Sequence, residues 1–280
     1  MRVAVTGASG FIGQHVLAEL HRHEIEIVAV TRDAARLRRS NESVPIVEMD
    51  IARAAPDCFE KMGSPDVLIH LAWDGLPNYQ SLHHFETELP RQYHFLKTMV
   101  EAGLPSLVVT GTCFEYGMQS GRLSPTMQTE PTNPYGYAKD ALHQQLKYLQ
   151  SIKPFNLAWA RLFYMYGEGQ PHTSLYSKLK EAVLRGDKIF NMSGGEQLRD
   201  YLPVEKVAFR IVRMAMIRSN IGVINICSGK PTSVRRLVEQ WLQVNNWEIE
   251  INLGHYAYPD YESMAFWGDS SGDESLRIEE

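Results

Sequence analysis

Tyr135 and Lys139 are the two residues whose types and spacing best suit proton chemistry, four positions apart in the run PYGYAK. In a helix, residues four apart lie on the same face, so the phenol and the ammonium would be neighbours. A free phenol has a pKa near about 10, and a nearby ammonium favours its ionised form. The spacing therefore predicts a tyrosine acid/base whose pKa the lysine lowers, although surface pairs also show this spacing.

A glycine-rich turn near the start of the chain predicts a dinucleotide site. A β-rich run, RVAVT at residues 2–6, precedes the turn, and a helical pattern follows it to about Arg22. Glycines at such a turn permit tight bending and close backbone approach, while the helix N-terminus attracts an anionic pyrophosphate. We expect five residues of this turn to contact the cofactor: Gly7, Gly10, Phe11, Ile12 and Gly13.

The end of the second predicted strand, Glu26–Val30, bears on the choice of dinucleotide. Arg32 follows this strand, where the adenosine ribose would lie, and Arg36, Arg38 and Arg39 come soon after. Arginine suits a 2′-phosphate, whereas a carboxylate suits a 2′-hydroxyl. NADP(H) is therefore favoured over NAD(H), and Asp33 keeps NAD(H) as the alternative.

Strands and helices alternate along most of the chain, which predicts a parallel, doubly wound sheet. Trp73 and Thr112 follow the fourth and fifth strands, at the strand ends where such folds bind ligands. The regular alternation loosens after residue 163. We predict a dinucleotide-binding domain over residues 1–163, joined again by residues 196–220, and a smaller substrate-binding domain over residues 164–195 and 221–280.

Composition excludes several function classes. The 280 residues carry a formal net charge of −5, which gives no general attraction to nucleic acid or to an anionic membrane surface. The three cysteines are read as reduced thiols of a cytoplasmic protein, and no run resembles a signal peptide or a membrane span. The histidines at 83, 84 and 94 are interpreted as solvated helix residues, and no metal is expected. Asp269–Glu280 is interpreted as a loose, acidic tail.

Seven signals in order resemble the extended short-chain dehydrogenase/reductases, also called the NAD-dependent epimerase/dehydratase family, which act largely on nucleotide sugars. They are Gly7-x-x-Gly10-x-x-Gly13, Asp50-Ile51, His70-Leu71-Ala72, Thr112 before Gly117, Tyr135-x-x-x-Lys139, the run from Arg161 to Gly167, and Arg199-Asp200-Tyr201. The resemblance implies a Rossmann-type α/β fold with seven sheet strands and a small C-terminal α/β substrate domain.

The same resemblance implies a role for each matching residue. Tyr135 would be the acid/base, Lys139 would hold the nicotinamide ribose, Thr112 would bind the reacting oxygen, and Arg199 would grip the substrate diphosphate. Further cofactor contacts would come from Asp50, Ile51, Leu71, Ala72, Trp73 and Phe163. Further substrate contacts would come from Trp73, Cys113, Phe114, Tyr164, Tyr176, Lys178 and Asn191.

Departures from the family pattern narrow the expected reaction. Family dehydratases carry an Asp-Glu pair directly after the threonine, and this chain has Cys113 and Phe114 there. Tyr164 stands where many members have asparagine. With Arg32, these differences favour a reductase resembling the 4-ketoreductases of dTDP-4-keto-6-deoxy sugars. A 4-epimerase that retains NAD and a non-catalytic NADP-binding sensor are the alternatives, and a homodimer paired through two long helices, at about 81–102 and 135–151, is expected.

Overall fold

The computed structural model describes residues 1–38 and 44–276, and within them seven parallel strands form the central sheet. The strands are β1 (Arg2–Thr6), β2 (Glu26–Thr31), β3 (Ile46–Glu48), β4 (Val67–His70), β5 (Ser106–Thr112), β6 (Gly121–Leu123), β7 (Asn156–Leu162), β8 (Tyr164–Tyr166), β9 (Ile189–Asn191), β10 (Leu198–Arg199), β11 (Tyr201–Pro203), β12 (Gly222–Ile226), β13 (Thr232–Ser233), β14 (Glu250–Asn252) and β15 (Phe266–Gly268). The order in the central sheet is β12-β7-β5-β4-β1-β2-β3.

The helices are α1 (Phe11–Leu20), α2 (Ala34–Arg38), α3 (Cys58–Lys61), α4 (Leu89–Glu101), α5 (Pro134–Ile152), α6 (Leu175–Arg185), α7 (Val204–Ile217) and α8 (Val234–Asn245). The helix expected at about 81–102 begins instead with a π-helical turn, His84–Glu88, which leads into α4. None of the described helices combines the length and apolarity of a membrane span.

Both faces of the central sheet are covered, which explains why its strands are continuously apolar. All four residues of β4 and all seven of β5 are buried. Helices α1 and α7 pack on one face through a shared apolar cluster, and α4 and α5 pack on the other. The predicted doubly wound parallel sheet is confirmed. Its strand order reverses between β1 and β4, and in such sheets this point opens a ligand crevice.

A smaller lobe forms around α6 and α8. Strands β9 and β14 pair in parallel beside these helices, and Leu179, Phe190 and Trp241 lie in their common core. Two further pairs, β8 with β11 and β10 with β13, connect the lobe to the end of β7.

Two observations differ from what the sequence predicts for the C-terminal part of the chain. The domain boundaries stay a prediction, but β12, which falls within the range 221–280 expected in the smaller domain, lies beside β7 in the central sheet. The expected loose tail contains a 3₁₀ turn, Ser271–Leu276, whose Leu276 is buried against the core; residues 277–280 lie outside the described part. We propose that residues 204–226 belong with the dinucleotide-binding domain.

Candidate active site

The glycine turn after β1 makes a close approach that needs a residue without a side chain. Gly7 has φ +69°, and a Cβ there would lie 2.8 Å from the backbone nitrogen of Ala72. Gly10 begins α1, whose N-terminus has no side-chain cap. The turn therefore leaves uncapped backbone N–H groups at a helix N-terminus, an arrangement that suits a pyrophosphate.

A cavity of about 570 Å³ lies at the carboxyl ends of β1, β2 and β4. Eight residues expected to contact a cofactor line it: Gly7, Gly10, Arg32, Asp50, Ile51, Leu71, Ala72 and Trp73. Its size and its position at the reversal of strand order fit an extended dinucleotide.

Four further residues expected to contact a cofactor, Phe11, Ile12, Gly13 and Phe163, do not line this cavity. Ile12 packs against the core, and Phe11 contacts the ring of His15 edge-on. Phe163 is buried against Tyr116 and Phe266, because β7 directs its side chain into a separate apolar cluster. Gly13 lies in the first turns of α1.

The end of the cavity beside β2 carries both charge signs. Arg32 and Asp74 form an ion pair of 3.7 Å at the surface. The Asp33 carboxylate accepts a hydrogen bond from the Arg36 backbone N–H at 3.0 Å and so caps α2. The side chain of Arg38 and all of Arg39 lie outside the described residues.

The start of α5 brings Tyr135 to the end of β5. Asn133 caps the helix by accepting from the Gly136 N–H at 2.8 Å. A Cβ on Gly136 would lie 2.6 Å from the carbonyl oxygen of Phe114, so only glycine permits this approach. Tyr135 is 8% exposed and hydrogen-bonds with the side chain of Thr112.

Lys139 lies one helical turn beyond Tyr135 and is 1% exposed. Its Nζ donates to the Thr110 carbonyl oxygen at 2.8 Å and sits 4.0 Å from the centroid of the Trp73 ring. The distance from Nζ to the Tyr135 ring centroid is 6.0 Å. The three residues expected to be catalytic, Thr112, Tyr135 and Lys139, are thus brought together.

The expected lowering of the Tyr135 pKa by Lys139 is wrong for this site. Burial raises the pKa of Tyr135 well above its usual range, the nearby Tyr79 adds to the increase, and the hydrogen bond with Thr112 opposes it. Burial also lowers the pKa of Lys139 to about 7, although the negative charges of Glu115 and Glu88 act to raise it. Desolvation therefore outweighs the attraction between the pair, and Tyr135 is held as the protonated phenol.

Aromatic rings surround Tyr135. Ring centroids lie 5.9 Å away for Trp73, 5.6 Å for Tyr79, 5.2 Å for His84 and 6.4 Å for Phe114. The sequence indicates no role for Tyr79 and predicts a solvated His84, whereas His84 is fully buried. The spacing of His84, Glu88 and Gln92 could have revealed this inward-facing stripe, because residues four apart share a helix face.

Thr112 is held in place by a buried ion pair. The Glu115 carboxylate accepts from the Thr112 backbone N–H at 2.8 Å, from Trp159 Nε1–H at 3.1 Å and from Arg161 Nε–H at 2.5 Å. Neither Glu115 nor Arg161 was predicted to have this role. Cys113 is buried with a raised pKa, and Phe114 packs on Tyr79, so neither supplies an ionised acid/base here.

A second cavity, of about 580 Å³, lies beside α6, β9 and β10, at the smaller lobe. Four expected substrate residues line it: Tyr164, Lys178, Asn191 and Arg199. Tyr176 does not, because its side of α6 packs on Trp241 and Trp247 in the core of the lobe. The expected substrate contact of Tyr176 stays a prediction.

Arg199 already has a carboxylate partner. Its Nε and Nη2 both donate to Glu262 Oε2, at 3.1 and 2.8 Å. Its Nη1 donates to the carbonyl oxygens of Leu198 and Met264. The guanidinium fork expected to grip a diphosphate is thus engaged by Glu262, which sequence analysis missed.

Asp74, His83 and Glu88 place one ligand atom each within 4.8 Å of the others, beside the first cavity. Arg32 pairs with Asp74 and Arg91 with Glu88, each at 3.7 Å. Because arginines already neutralise the carboxylates, we assign this cluster to an ion-pair network.

Comparisons with known proteins agree with this geometry. The family model described as NAD dependent epimerase/dehydratase family matches residues 3–227. The dTDP-6-deoxy-L-talose 4-dehydrogenase (NAD(+)) of Aggregatibacter actinomycetemcomitans is 30% identical over 270 residues, covering 96% of this chain and 99% of the relative. The UDP-glucose 4-epimerase of Azospirillum brasilense is 27% identical over 275 residues, covering 89% of this chain and 78% of the relative.

Among solved structures, MoeE5 in complex with UDP-glucose and NAD has a TM-score of 0.82 at 26% identity, covering 98% of this chain and 91% of MoeE5. The family model covers more than half of the chain, and the 4-dehydrogenase relative spans nearly all of it. This chain therefore belongs to the NAD dependent epimerase/dehydratase family, the extended short-chain dehydrogenase/reductases, and is an enzyme of that family.

Proposed function

We propose that this enzyme reduces the C4 ketone of a nucleotide-activated 4-keto-6-deoxyhexose, with dTDP as the nucleotide. The observation that carries the proposal is the grouping of Thr112, Tyr135 and Lys139. The two residues after Thr112, Cys113 and Phe114, supply no ionised acid or base for an elimination of water. The relative named dTDP-6-deoxy-L-talose 4-dehydrogenase (NAD(+)) supports it, because dehydrogenation at C4 is the reverse of this reduction.

The residues have separate roles in the reaction. When bound, a reduced nicotinamide dinucleotide supplies the hydride that is added to C4. Tyr135 transfers its phenolic proton to the ketone oxygen as the alcohol forms, and the Thr112 hydroxyl holds that oxygen as negative charge develops on it. The protonated state of Tyr135 suits this direction. We assign Lys139 to the nicotinamide ribose, as the family resemblance implies.

The surroundings of Tyr135 support a deoxy sugar. The Phe114 ring centroid lies 4.9 Å from that of Tyr79 and 6.5 Å from that of Tyr261. The Phe114 ring offers no hydrogen-bonding group, so it favours burial of a methyl group over a hydroxyl, which needs a hydrogen-bond partner when buried. We therefore propose that this wall faces a C6 methyl, as in a fucose or 6-deoxytalose configuration.

For the cofactor, we propose NADP(H) in preference to NAD(H). Arg32 and Arg36 both line the first cavity near the end of β2, and Asp33 is engaged in capping α2. The relative and the solved structure named above carry NAD in their names, so NAD(H) is the competing cofactor. If the proposal holds, Arg32→Ala lowers kcat/KM for NADPH by about tenfold, an estimate for one charged contact to a phosphate, and leaves kcat/KM for NADH nearly unchanged.

A nucleotide-sugar 4-epimerase is the second candidate. The UDP-glucose 4-epimerase relative favours it, and Thr112, Tyr135 and Lys139 would serve that reaction equally well. NAD that stays bound through purification, together with interconversion of C4 epimers without added cofactor, would support the epimerase. We propose the cytoplasm for either reaction, since Cys58 and Cys113 are buried thiols, which a reducing compartment preserves.

The function is tested by mixing purified protein with NADH or NADPH and a dTDP-4-keto-6-deoxyhexose. The near-ultraviolet absorbance of the reduced cofactor should fall as a 6-deoxyhexose forms. Tyr135→Phe should lower kcat by about 10²–10⁴-fold with little change in cofactor affinity, because only the proton donor is removed. Tyr137→Phe, on the exposed side of α5, is the matched control. No consumption with either cofactor and either C5 epimer of the keto sugar would overturn the proposal.

A further inference from the structure

The segment between β4 and the π-helical turn supplies two of the rings around Tyr135, those of Trp73 and Tyr79. The Tyr79 carbonyl oxygen also accepts a hydrogen bond from the Tyr135 backbone N–H at 3.2 Å. The position of this segment therefore bears directly on the position of the phenol. The groups that hold the segment lie on the π-helical turn, His84–Glu88.

Both ring nitrogens of His84 are engaged, and their partners fix its tautomer. Nε2 lies 2.8 Å from the Asn78 carbonyl oxygen, which only accepts hydrogen bonds, so Nε2 carries the proton. Nδ1 is then an acceptor, and Trp73 Nε1–H donates to it at 3.1 Å. His84 is 0% exposed, and burial lowers its pKa, which agrees with a neutral ring.

The Trp73 ring connects His84 to the reaction centre. Its face lies 4.0 Å from Lys139 Nζ, and it meets the Tyr135 ring at an interplanar angle of 73°. Trp73 is only half-buried and lines the first cavity, so packing alone leaves it room to turn. Among the described residues, His84 is the one that accepts the hydrogen bond of the indole Nε1–H, and this bond fixes the direction of the ring.

The π-helical turn clamps the same segment at a second point. Glu88, four residues after His84 and also buried, accepts from the Asp74 backbone N–H at 3.2 Å and from Gln92 Nε2–H at 2.9 Å. A π-helical turn changes which side chains face inward, and such turns occur often at functional sites. Here His84 binds the short stretch Trp73–Asn78 at both of its ends, and Glu88 binds it at Asp74.

We propose that His84 is a positioning residue of this enzyme: it holds the Trp73 indole against Lys139 and Tyr135 through the Nε1–H to Nδ1 hydrogen bond. It acts through Trp73 and the segment that carries Tyr79, without a role as a proton donor or acceptor. The inference rests on the proposed function only in one respect: kcat is measured with the ketone reduction proposed above.

The first experiment compares His84→Phe with His84→Gln. Phenylalanine keeps a ring but removes both hydrogen bonds, whereas glutamine offers an acceptor and a donor. We expect His84→Phe to lower kcat by about 10–100-fold, as small misplacements of catalytic groups do, with the dissociation constant for dTDP unchanged. His84→Gln should stay within about threefold of the wild type. His94→Phe, on the exposed side of α4, is the matched control and should change neither quantity.

A double-mutant cycle then tests whether His84 acts through Trp73. If it does, Trp73→Phe alone should reproduce the loss in kcat, and the double variant should be no slower than Trp73→Phe. Multiplied losses in the double variant would overturn the proposal. If His84→Phe does not fold, Trp73→Phe remains decisive, because wild-type kcat in that variant would overturn the proposal as well.

A readout independent of turnover separates this proposal from the proposed function. The Trp73 Nε1–H resonance, identified by its absence in Trp73→Phe, should exchange slowly with solvent in the wild type and in His84→Gln, and rapidly in His84→Phe. Slow exchange in His84→Phe would overturn the positioning role whatever the substrate. A wild type without ketoreductase activity, but with the expected exchange pattern, would contradict only the proposed function.

Discussion

Lys139 is a cationic residue with almost no exposure, and in the described part of the chain no carboxylate forms an ion pair with it. Its Nζ is stabilised by the Thr110 carbonyl and by the face of Trp73, and its pKa falls to about 7 because burial disfavours the ammonium. An unfolded lysine keeps a pKa near about 10.4. Stability should therefore depend on pH between these two values.

The sign of this dependence follows from proton binding. Between about pH 7 and pH 10 the unfolded lysine binds more protons than the folded one, so the contribution of Lys139 to the free energy of unfolding rises with pH. Lys139→Met removes this contribution. The free energy of unfolding, measured with urea, should be higher for the variant than for the wild type at about pH 6. The difference should be smaller at about pH 9. Lys147→Met, at an exposed position of α5, is the control, and an equal difference at both pH values would contradict the prediction.

Glu262 gives a second residue-scale prediction, concerning nucleotide binding. A diphosphate that binds Arg199 must compete with the Glu262 carboxylate, which takes two of the guanidinium N–H groups. Glu262→Gln should therefore tighten dTDP binding by about tenfold, equal to about 1.4 kcal/mol. Isothermal titration calorimetry measures this change. Glu181→Gln, which removes a carboxylate of the same cavity that does not contact Arg199, is the control, and weaker binding by Glu262→Gln would disprove the competition.

At the scale of elements, the end of β5 depends on the buried ion pair below it. Glu115 forms a capping box with Thr112, and its carboxylate also binds Trp159 and Arg161 from the neighbouring β7. The register that pairs Gly111 with Arg161 places these groups side by side. The orientation of the Thr112 hydroxyl is therefore set jointly by two strands and one turn.

Glu115→Gln should lower the free energy of unfolding by about 3–5 kcal/mol, because it leaves Arg161 buried without an opposite charge. Asp57→Asn, which breaks the exposed pair with Lys61, should change it by less than about 1 kcal/mol. Chemical denaturation measures both. Equal effects of the two substitutions would show that the Glu115–Arg161 pair does not stabilise this strand end.

At the scale of the whole molecule, the exposed side of α5 carries an apolar stripe. Tyr137, Tyr148 and Ile152 are 52%, 74% and 83% exposed, and they follow the helical spacing of one face. Helix α4 packs beside α5, and together the two helices could pair with the same helices of a second copy. The family resemblance implies this pairing. We therefore propose a homodimer with α4 and α5 at its interface.

Light scattering after size exclusion should then give a mass about twice that of the 31.9 kDa chain. Replacing both Tyr148 and Ile152 with Glu should produce a monomer, because charges at the centre of an apolar interface are not solvated. Val244→Glu, at an exposed position of α8, should leave the dimer intact. A wild-type monomer would contradict the proposal.

Local patterns in the sequence were sufficient to predict much of this protein. Strand–turn–helix order predicted the glycine turn of Gly7, and the spacing of Tyr135 and Lys139 predicted a shared helix face, because both depend on backbone geometry over a few residues. The alternation of apolar strands with helices likewise predicted the parallel sheet, since its strands are buried on both faces. These features follow from neighbours in the chain.

Only the tertiary structure decided the environments of these residues. The pKa of Tyr135 rises because several rings exclude water from it, and the fork of Arg199 is engaged by Glu262, 63 residues away. His84 is a buried partner of Trp73, and Tyr176 belongs to the core of the lobe. Burial and pairing between distant segments depend on how the elements pack. Residue type and spacing therefore determined which groups could react, and the fold determined their charge states and partners.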